Sequence, residues 1–135
     1  MTLLDDAIRA KNHAYAPYSK FTVGAALRDE KGKIFAGCNV ENSSYGATTC
    51  AERNAIATMI AGGGTRFTEI LVVTDTLNGC PPCGICRQVL VEFAVDPATA
   101  KVHIANATGV LKTFTLRELL PEAFDAGYLK TFAND

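Results

Sequence analysis

The chain has 135 residues, a net charge of −1 and a hydrophobic fraction of 48%, which suits one domain, residues 1–135, built on a single core. Its 13 lysines and arginines are dispersed, the densest patch being Lys31-Gly32-Lys33, so the basic stripe that a nucleic-acid polymer requires is missing. Asp5, Asp6, Arg9 and Lys11 interrupt the apolar pattern at the start, which argues against a signal peptide, and no apolar run approaches a membrane span; the expected compartment is the cytosol, with no membrane partner.

Residues 2–14 place Leu3, Leu4, Ala7, Ile8 and Ala10 at helical spacing, with Asp5 and Asp6 suited to the first turn. Tyr15-Ala16-Pro17-Tyr18 ends that helix. Phe21 to Leu27 and Lys33 to Cys38 read as strands, and Asp29-Glu30-Lys31-Gly32 between them reads as an antiparallel hairpin turn. Thr49 opens a helix that runs to about Ala61 and is ended by Gly62-Gly63-Gly64. Ile70-Leu71-Val72-Val73 has the composition of a strand buried on both faces. Gly79 to Pro82 is a turn, followed by a helix over Ile85 to Val95. Val102–Ala105 and Leu111–Phe114 are candidate strands separated by Asn106-Ala107-Thr108-Gly109. Leu116–Leu120 is a short helix, capped by Thr115 and stopped by Pro121. Alternating strands and helices after residue 49 imply an α/β fold with a mixed sheet covered by helices.

The five cysteines are the most informative residues. In a cytosolic chain, clustered cysteines point to metal or catalysis before disulfides. Cys50, Cys83 and Cys86 can fill three corners of a zinc tetrahedron and leave the fourth open for water, which ionises near neutrality on the metal. Glu52, two residues from one ligand, can carry protons for such a water. Cys50 opens one helix, while Cys83 and Cys86 open another on one side of its first turn, where the helix dipole favours thiolate. Zinc with three thiolates carries a net negative charge that weakens the Lewis acid. Arg53 and Arg87 each follow a ligand closely, and at least one of them is expected to donate to a ligand sulfur.

Plainer roles are open for each element. Thr49-Cys50-Ala51-Glu52 also reads as a capping box, Cys50 as a small buried hydrophobe, and Cys83-Gly84-Ile85-Cys86 as a redox pair. Cys80 is expected to point away from the helix start, because Pro81-Pro82 favours an extended backbone. His13 and His103 lie far from either cluster and read as ordinary surface or strand histidines. Asn39 and Glu41, two apart on an extended segment, face the same way, but suit a solvated loop equally well. Phe21 suits core packing.

Tyr15-Ala16-Pro17-Tyr18-Ser19-Lys20-Phe21, Gly37-Cys38-Asn39-Val40-Glu41-Asn42, Cys50-Ala51-Glu52-Arg53 and Pro82-Cys83-Gly84-Ile85-Cys86-Arg87-Gln88 together resemble the short-chain, zinc-dependent cytidine deaminases. The likeness extends to Leu119-Leu120-Pro121-Glu122-Ala123-Phe124. It implies a three-layer α-β-α fold with a mixed sheet of about five strands, a homotetramer, and one Zn²⁺ per subunit. It also implies hydrolysis of cytidine and deoxycytidine to uridine and deoxyuridine, with release of ammonia. The matching positions are Cys50, Cys83 and Cys86 for zinc and Glu52 for the proton shuttle. Asn39 and Glu41 match the residues that grip the sugar hydroxyls, and Phe21 the aromatic against the pyrimidine. Tyr45 lies on the sugar side, Ala51 at the substrate, and Phe124 at a neighbouring subunit's pocket. The chain departs from the pattern at Pro81, where serine is usual, and at Ile85, where alanine is common.

Three other functions compete. A deaminase of a modified cytosine nucleoside or of a blasticidin-type antibiotic would share the chemistry, although the intact Asn39-Val40-Glu41-Asn42 block favours plain nucleosides. A polynucleotide deaminase is disfavoured by the charge balance. A zinc-stabilised binding module would not need Glu52 beside an open coordination position.

Overall fold

Thr2 starts the first helix, and the computed structural model describes residues 2–133 of the chain. The Thr2 hydroxyl accepts from the Asp5 N–H at 3.1 Å while the Asp5 carboxylate accepts from the Thr2 N–H at 3.3 Å. This reciprocal cap satisfies two donors that the first turn would otherwise leave open, and helix α1 runs from Leu3 to Lys11.

Strands β1 (Gly24–Asp29) and β2 (Ile34–Cys38) form the expected antiparallel hairpin. Its turn is tied by the Asp29 carboxylate, which accepts from the N–H groups of Lys31 at 3.0 Å and Lys33 at 2.8 Å. Strand β3 (Phe67–Val73) lies antiparallel to β1 on the other side, and β4 (Lys101–Asn106) lies parallel to β3. Strand β5 (Gly109–Thr115) returns antiparallel to β4. The five-stranded mixed sheet has the order β2-β1-β3-β4-β5.

One sheet face packs on α1, where Leu3 and Ala7 meet Ala26, Leu71, Val73 and Ala105. The other face packs on α2 (Ala51–Ala61) and α3 (Gly84–Phe93), where Ala55, Met59, Leu90 and Val91 meet Leu27, Ile70, Val102 and Ile104. Ile70 to Val73 are buried throughout, because β3 lies mid-sheet between both helical layers. Both layers approach the sheet closely. A Cβ at Gly24 would come within 2.0 Å of the Ala7 carbonyl oxygen, and one at Gly37 within 2.5 Å of the Ala55 nitrogen; a side chain at either place would push a helix off the sheet. Thr115 and Glu118 form the cap of the short α4 (Leu116–Leu119).

The elements differ from the sequence reading in three places. Phe21 to Val23 are not in the sheet, because their backbone groups bond to Asn39 instead. Thr49 does not cap α2. Its N–H is already bonded to the Val40 carbonyl at 2.9 Å, and Cys50 occupies the cap position without a side-chain cap bond. A last helix, α5 (Ala126–Ala133), is absent from the sequence reading although Asp125 caps it, its carboxylate accepting from the Gly127 N–H at 2.9 Å; among the described residues it packs extensively on no other element.

Candidate active site

Cys50 stands immediately before α2 and Cys83 immediately before α3, with Cys86 in the first turn of α3. The two helix starts converge, and the three Sγ atoms lie within 4.8 Å of one another. Cys86 is buried, Cys50 half-buried and Cys83 exposed. Tetrahedral zinc with Zn–S bonds of 2.3 Å requires sulfurs about 3.8 Å apart, so the cluster fits the ion with little adjustment, and its donors are all thiols. The closeness of Cys86, with help from Arg53, lowers the Cys50 thiol against the opposing effect of burial, while the same closeness and burial push Cys86 up. A divalent ion would replace the thiol protons on binding.

Arg53 donates to the Cys50 sulfur at 3.4 Å, and its Nε is buried with no partner among the described residues. Arg87 does not meet the sulfurs. It ties backbone together, donating to the carbonyls of Pro82 and Leu119, each at 2.8 Å. The sequence expectation is thus met by the first arginine of the two.

Glu52 is 4% exposed, on the first turn of α2. Burial, with the nearby Cys50 sulfur adding to it, pushes its carboxyl up to about 7. A group poised there can both take and give a proton near neutral pH.

A cavity of about 240 Å³ opens above this cluster. Cys50, Ala51, Glu52 and Cys83 form its floor, Phe21, Val23 and Asn39 one wall, and Val72 and Thr74, at the C-terminal end of β3, another. The site therefore sits at strand ends rather than along the sheet's lateral edge. Glu41, Ser19 and Thr48 are shared with an outer compartment of about 370 Å³ that Tyr18 and Tyr45 complete, their rings packed edge to face at 6.0 Å. Among the described residues, no lysine or arginine lines either compartment.

Most expected residues thus meet in one place, but not all as expected. Tyr45 lies only in the outer compartment, on a 3₁₀ turn over Tyr45–Ala47. Phe124 is 56% exposed and does not line the cavity of its own chain; its carbonyl accepts from Gln88 at 2.8 Å. Cys80 stays outside the three-sulfur cluster and lines the cavity. Pro81-Pro82 keeps it short of α3 without excluding it from the opening. Asn39 is 8% exposed and bonded on both sides, its Oδ1 accepting from the Val23 N–H at 2.9 Å and its Nδ2 donating to the Phe21 carbonyl at 2.7 Å. Ser19 and Thr74 carry no assignment from the sequence. Thr74 could have been found from its place just past a buried strand, where ligands of α/β sheets collect. His103 lies apart, between Glu69 at 3.0 Å and Thr113 at 2.9 Å.

Fold and site together define an α/β protein with a three-thiol cluster suited to zinc and a buried carboxyl beside it. The family model for the "Cytidine and deoxycytidylate deaminase zinc-binding region" matches residues 1–101. A cytidine deaminase of Halalkalibacterium halodurans is 47% identical over 124 residues, which is 92% of each chain. One of Mycobacterium tuberculosis is 44% identical over 122 residues, covering 90% of this chain and 86% of that one. The crystal structure of cytidine deaminase from Burkholderia pseudomallei superimposes with a TM-score of 0.85 at 45% identity, covering 92% of this chain and all of that one. The chain belongs to the cytidine and deoxycytidylate deaminase family, and its cofactor is zinc.

Proposed function

We infer that the protein hydrolyses cytidine and deoxycytidine to uridine and deoxyuridine, releasing ammonia. The observation that carries this reading is the buried Glu52 lining the same cavity as Cys50 and Cys83 of the three-sulfur cluster. Zinc held by Cys50, Cys83 and Cys86 would supply a Lewis acid that lowers the pKa of the attacking water. Glu52 takes a proton from that water and passes it to N3 of the base, then takes the proton of the new C4 hydroxyl and gives it to the departing amine. Water adds at C4, ammonia leaves, and a carbonyl remains. Ala51 and Phe21 bound the base, while Asn39, Glu41 and, farther out, Tyr45 face the sugar. Arg53 offsets the negative charge of the thiolates through its bond to Cys50.

A nucleoside is favoured over a nucleotide or a polynucleotide. The sugar side presents a carboxylate, Glu41, and among the described residues no lysine or arginine lines either compartment, so a phosphate would meet like charge. A zinc module without catalysis would have no use for a buried carboxylate at an open cavity. The setting we propose is cytosolic pyrimidine salvage; no helix among the described residues is long and apolar enough to cross a membrane.

We also propose a homotetramer whose sites are completed between subunits. Phe124 and Tyr128 stack at 5.9 Å on the α5 side of the chain, and with Leu129 they remain more than half exposed. An exposed aromatic pair formed by a helix that packs little on its own chain and the segment just before it has reason to meet a second copy. The test of the activity is ammonia release by zinc-replete protein from cytidine, deoxycytidine, their 5′-phosphates, an oligonucleotide and blasticidin. The two nucleosides should be turned over best. Release from no nucleoside refutes the reading, and preference for a phosphorylated or antibiotic substrate replaces it.

A further inference from the structure

We propose that Ser19 is a positioning residue for the sugar end of the site, coupling the Glu41 carboxylate to the Phe21 wall through one hydroxyl. The proposal rests on the nucleoside reading above. Three observations build it.

The first is the wiring of the turn. Glu41 Oε1 accepts from the backbone N–H groups of Tyr18 at 3.0 Å and Ser19 at 3.1 Å. The Ser19 hydroxyl donates to Glu41 Oε2 and accepts from the Phe21 N–H at 3.0 Å. A serine hydroxyl has one proton to donate. Here it is committed to Glu41, while one of the oxygen's lone pairs holds Phe21.

The second is strain. Lys20, between Ser19 and Phe21, has φ +61°, in the left-handed region that residues with a side chain seldom occupy. Such a backbone persists only when its surroundings hold it. The bonds doing so are those of Ser19 and Glu41, together with the Lys20 N–H to the Ala16 carbonyl at 3.0 Å. Phe21 follows the strained residue directly, so its direction depends on them.

The third is the acceptor count. A carboxylate offers about four lone-pair sites. Three are taken from within the chain. One acceptor site remains, and Glu41 lines the cavity. The carboxylate is thereby set to recognise a single sugar hydroxyl, in a direction fixed by Ser19. Selectivity for that hydroxyl would be strong, because losing it leaves an aligned acceptor unpaired.

The experiment uses the zinc-replete enzyme, with cytidine and its 2′-deoxy and 3′-deoxy analogues. In the wild type, loss of one particular hydroxyl should raise KM far more than loss of the other. Ser19→Ala should raise KM for the intact substrate about tenfold, as expected for loss of one charge-assisted bond, with a smaller change in kcat. It should also shrink the penalty for the missing hydroxyl. The Kd for uridine, measured by calorimetry, should rise by the same factor. Ser19→Thr keeps the hydroxyl and should restore the wild-type pattern. If Ser19→Ala is too unstable to assay, Ser19→Ala combined with Lys20→Gly, which relieves the left-handed strain, should show the same altered pattern. Unchanged KM, or an equal loss on all three substrates, overturns the proposal. Wild-type turnover of cytidine in the same series separates that result from a failure of the nucleoside reading.

Discussion

Replacing Glu52 with glutamine tests the proton-carrying role with the least disturbance. The two side chains are nearly isosteric, and the position is 4% exposed on the floor of the cavity, so the packing should be retained. General acid–base catalysis contributes about 10²- to 10⁴-fold. Two considerations place this residue at the upper end. On the proposed mechanism it would serve proton transfers to both the base and the leaving amine, and its burial keeps bulk water from substituting. The other carboxylate lining the cavity, Glu41, is committed to Tyr18 and Ser19 and cannot stand in. We therefore expect kcat to fall by about 10⁴-fold or more, a barrier increase of ~5.5 kcal/mol. Zinc should remain bound, because no ligand is touched. Stability should change by no more than about 1 kcal/mol, the usual worth of a charge at a helix start. The assay is steady-state ammonia release, with metal content and thermal melting on the same sample. Near-normal turnover with a lowered melting temperature would refute the reasoning and leave Glu52 a structural residue.

Cys83→Ala should lose zinc and activity together, whereas Cys80→Ser should keep the metal because its sulfur lies outside the cluster; elemental analysis of both decides the ligand set. Phe124→Ala should weaken association and turnover. Mixing it with Glu52→Gln after dissociation should yield hybrids more active than either parent, and no recovery in hybrids confirmed by native mass spectrometry would mean that Phe124 serves only its own chain. Hydrogen bonds from Ser19 hold the Glu41 carboxyl below its ordinary 4.5. A lowered carboxyl stabilises above its unfolded pKa and loses that contribution as pH falls through the folded value. The amide signals of Tyr18 and Ser19 should therefore be constant from neutral pH down to about 4.5 and shift together only below it; a shift near neutrality would show that Glu41 is not their acceptor.

Residues whose neighbours lie close in the chain are the legible ones. The Asp29–Gly32 hairpin, the Thr115 cap and the apolar run of β3 all depend on local chemistry. The same holds for Cys83 and Cys86, which share one helical turn. Thr49-Cys50-Ala51-Glu52 misleads as a capping box because the Thr49 N–H is claimed by Val40, nine residues away. Phe21 to Val23 mislead as strand because the amide of Asn39 takes their backbone groups. Cys80 lines the cavity beside Asn39 and Val72, residues far from it in the chain, which its spacing to Cys83 does not encode. Ser19 is silent in the sequence, since its hydroxyl acts through Glu41, 22 residues later.

X-ray absorption at the zinc edge of the resting enzyme bears most directly on the central claim, an open three-sulfur zinc position above Glu52. We expect three sulfur scatterers at about 2.3 Å and one oxygen at about 2.0 Å, the latter replaced or perturbed when a nucleoside analogue binds. Four sulfurs, with Cys80 drawn in, would describe a closed structural site and contradict the account.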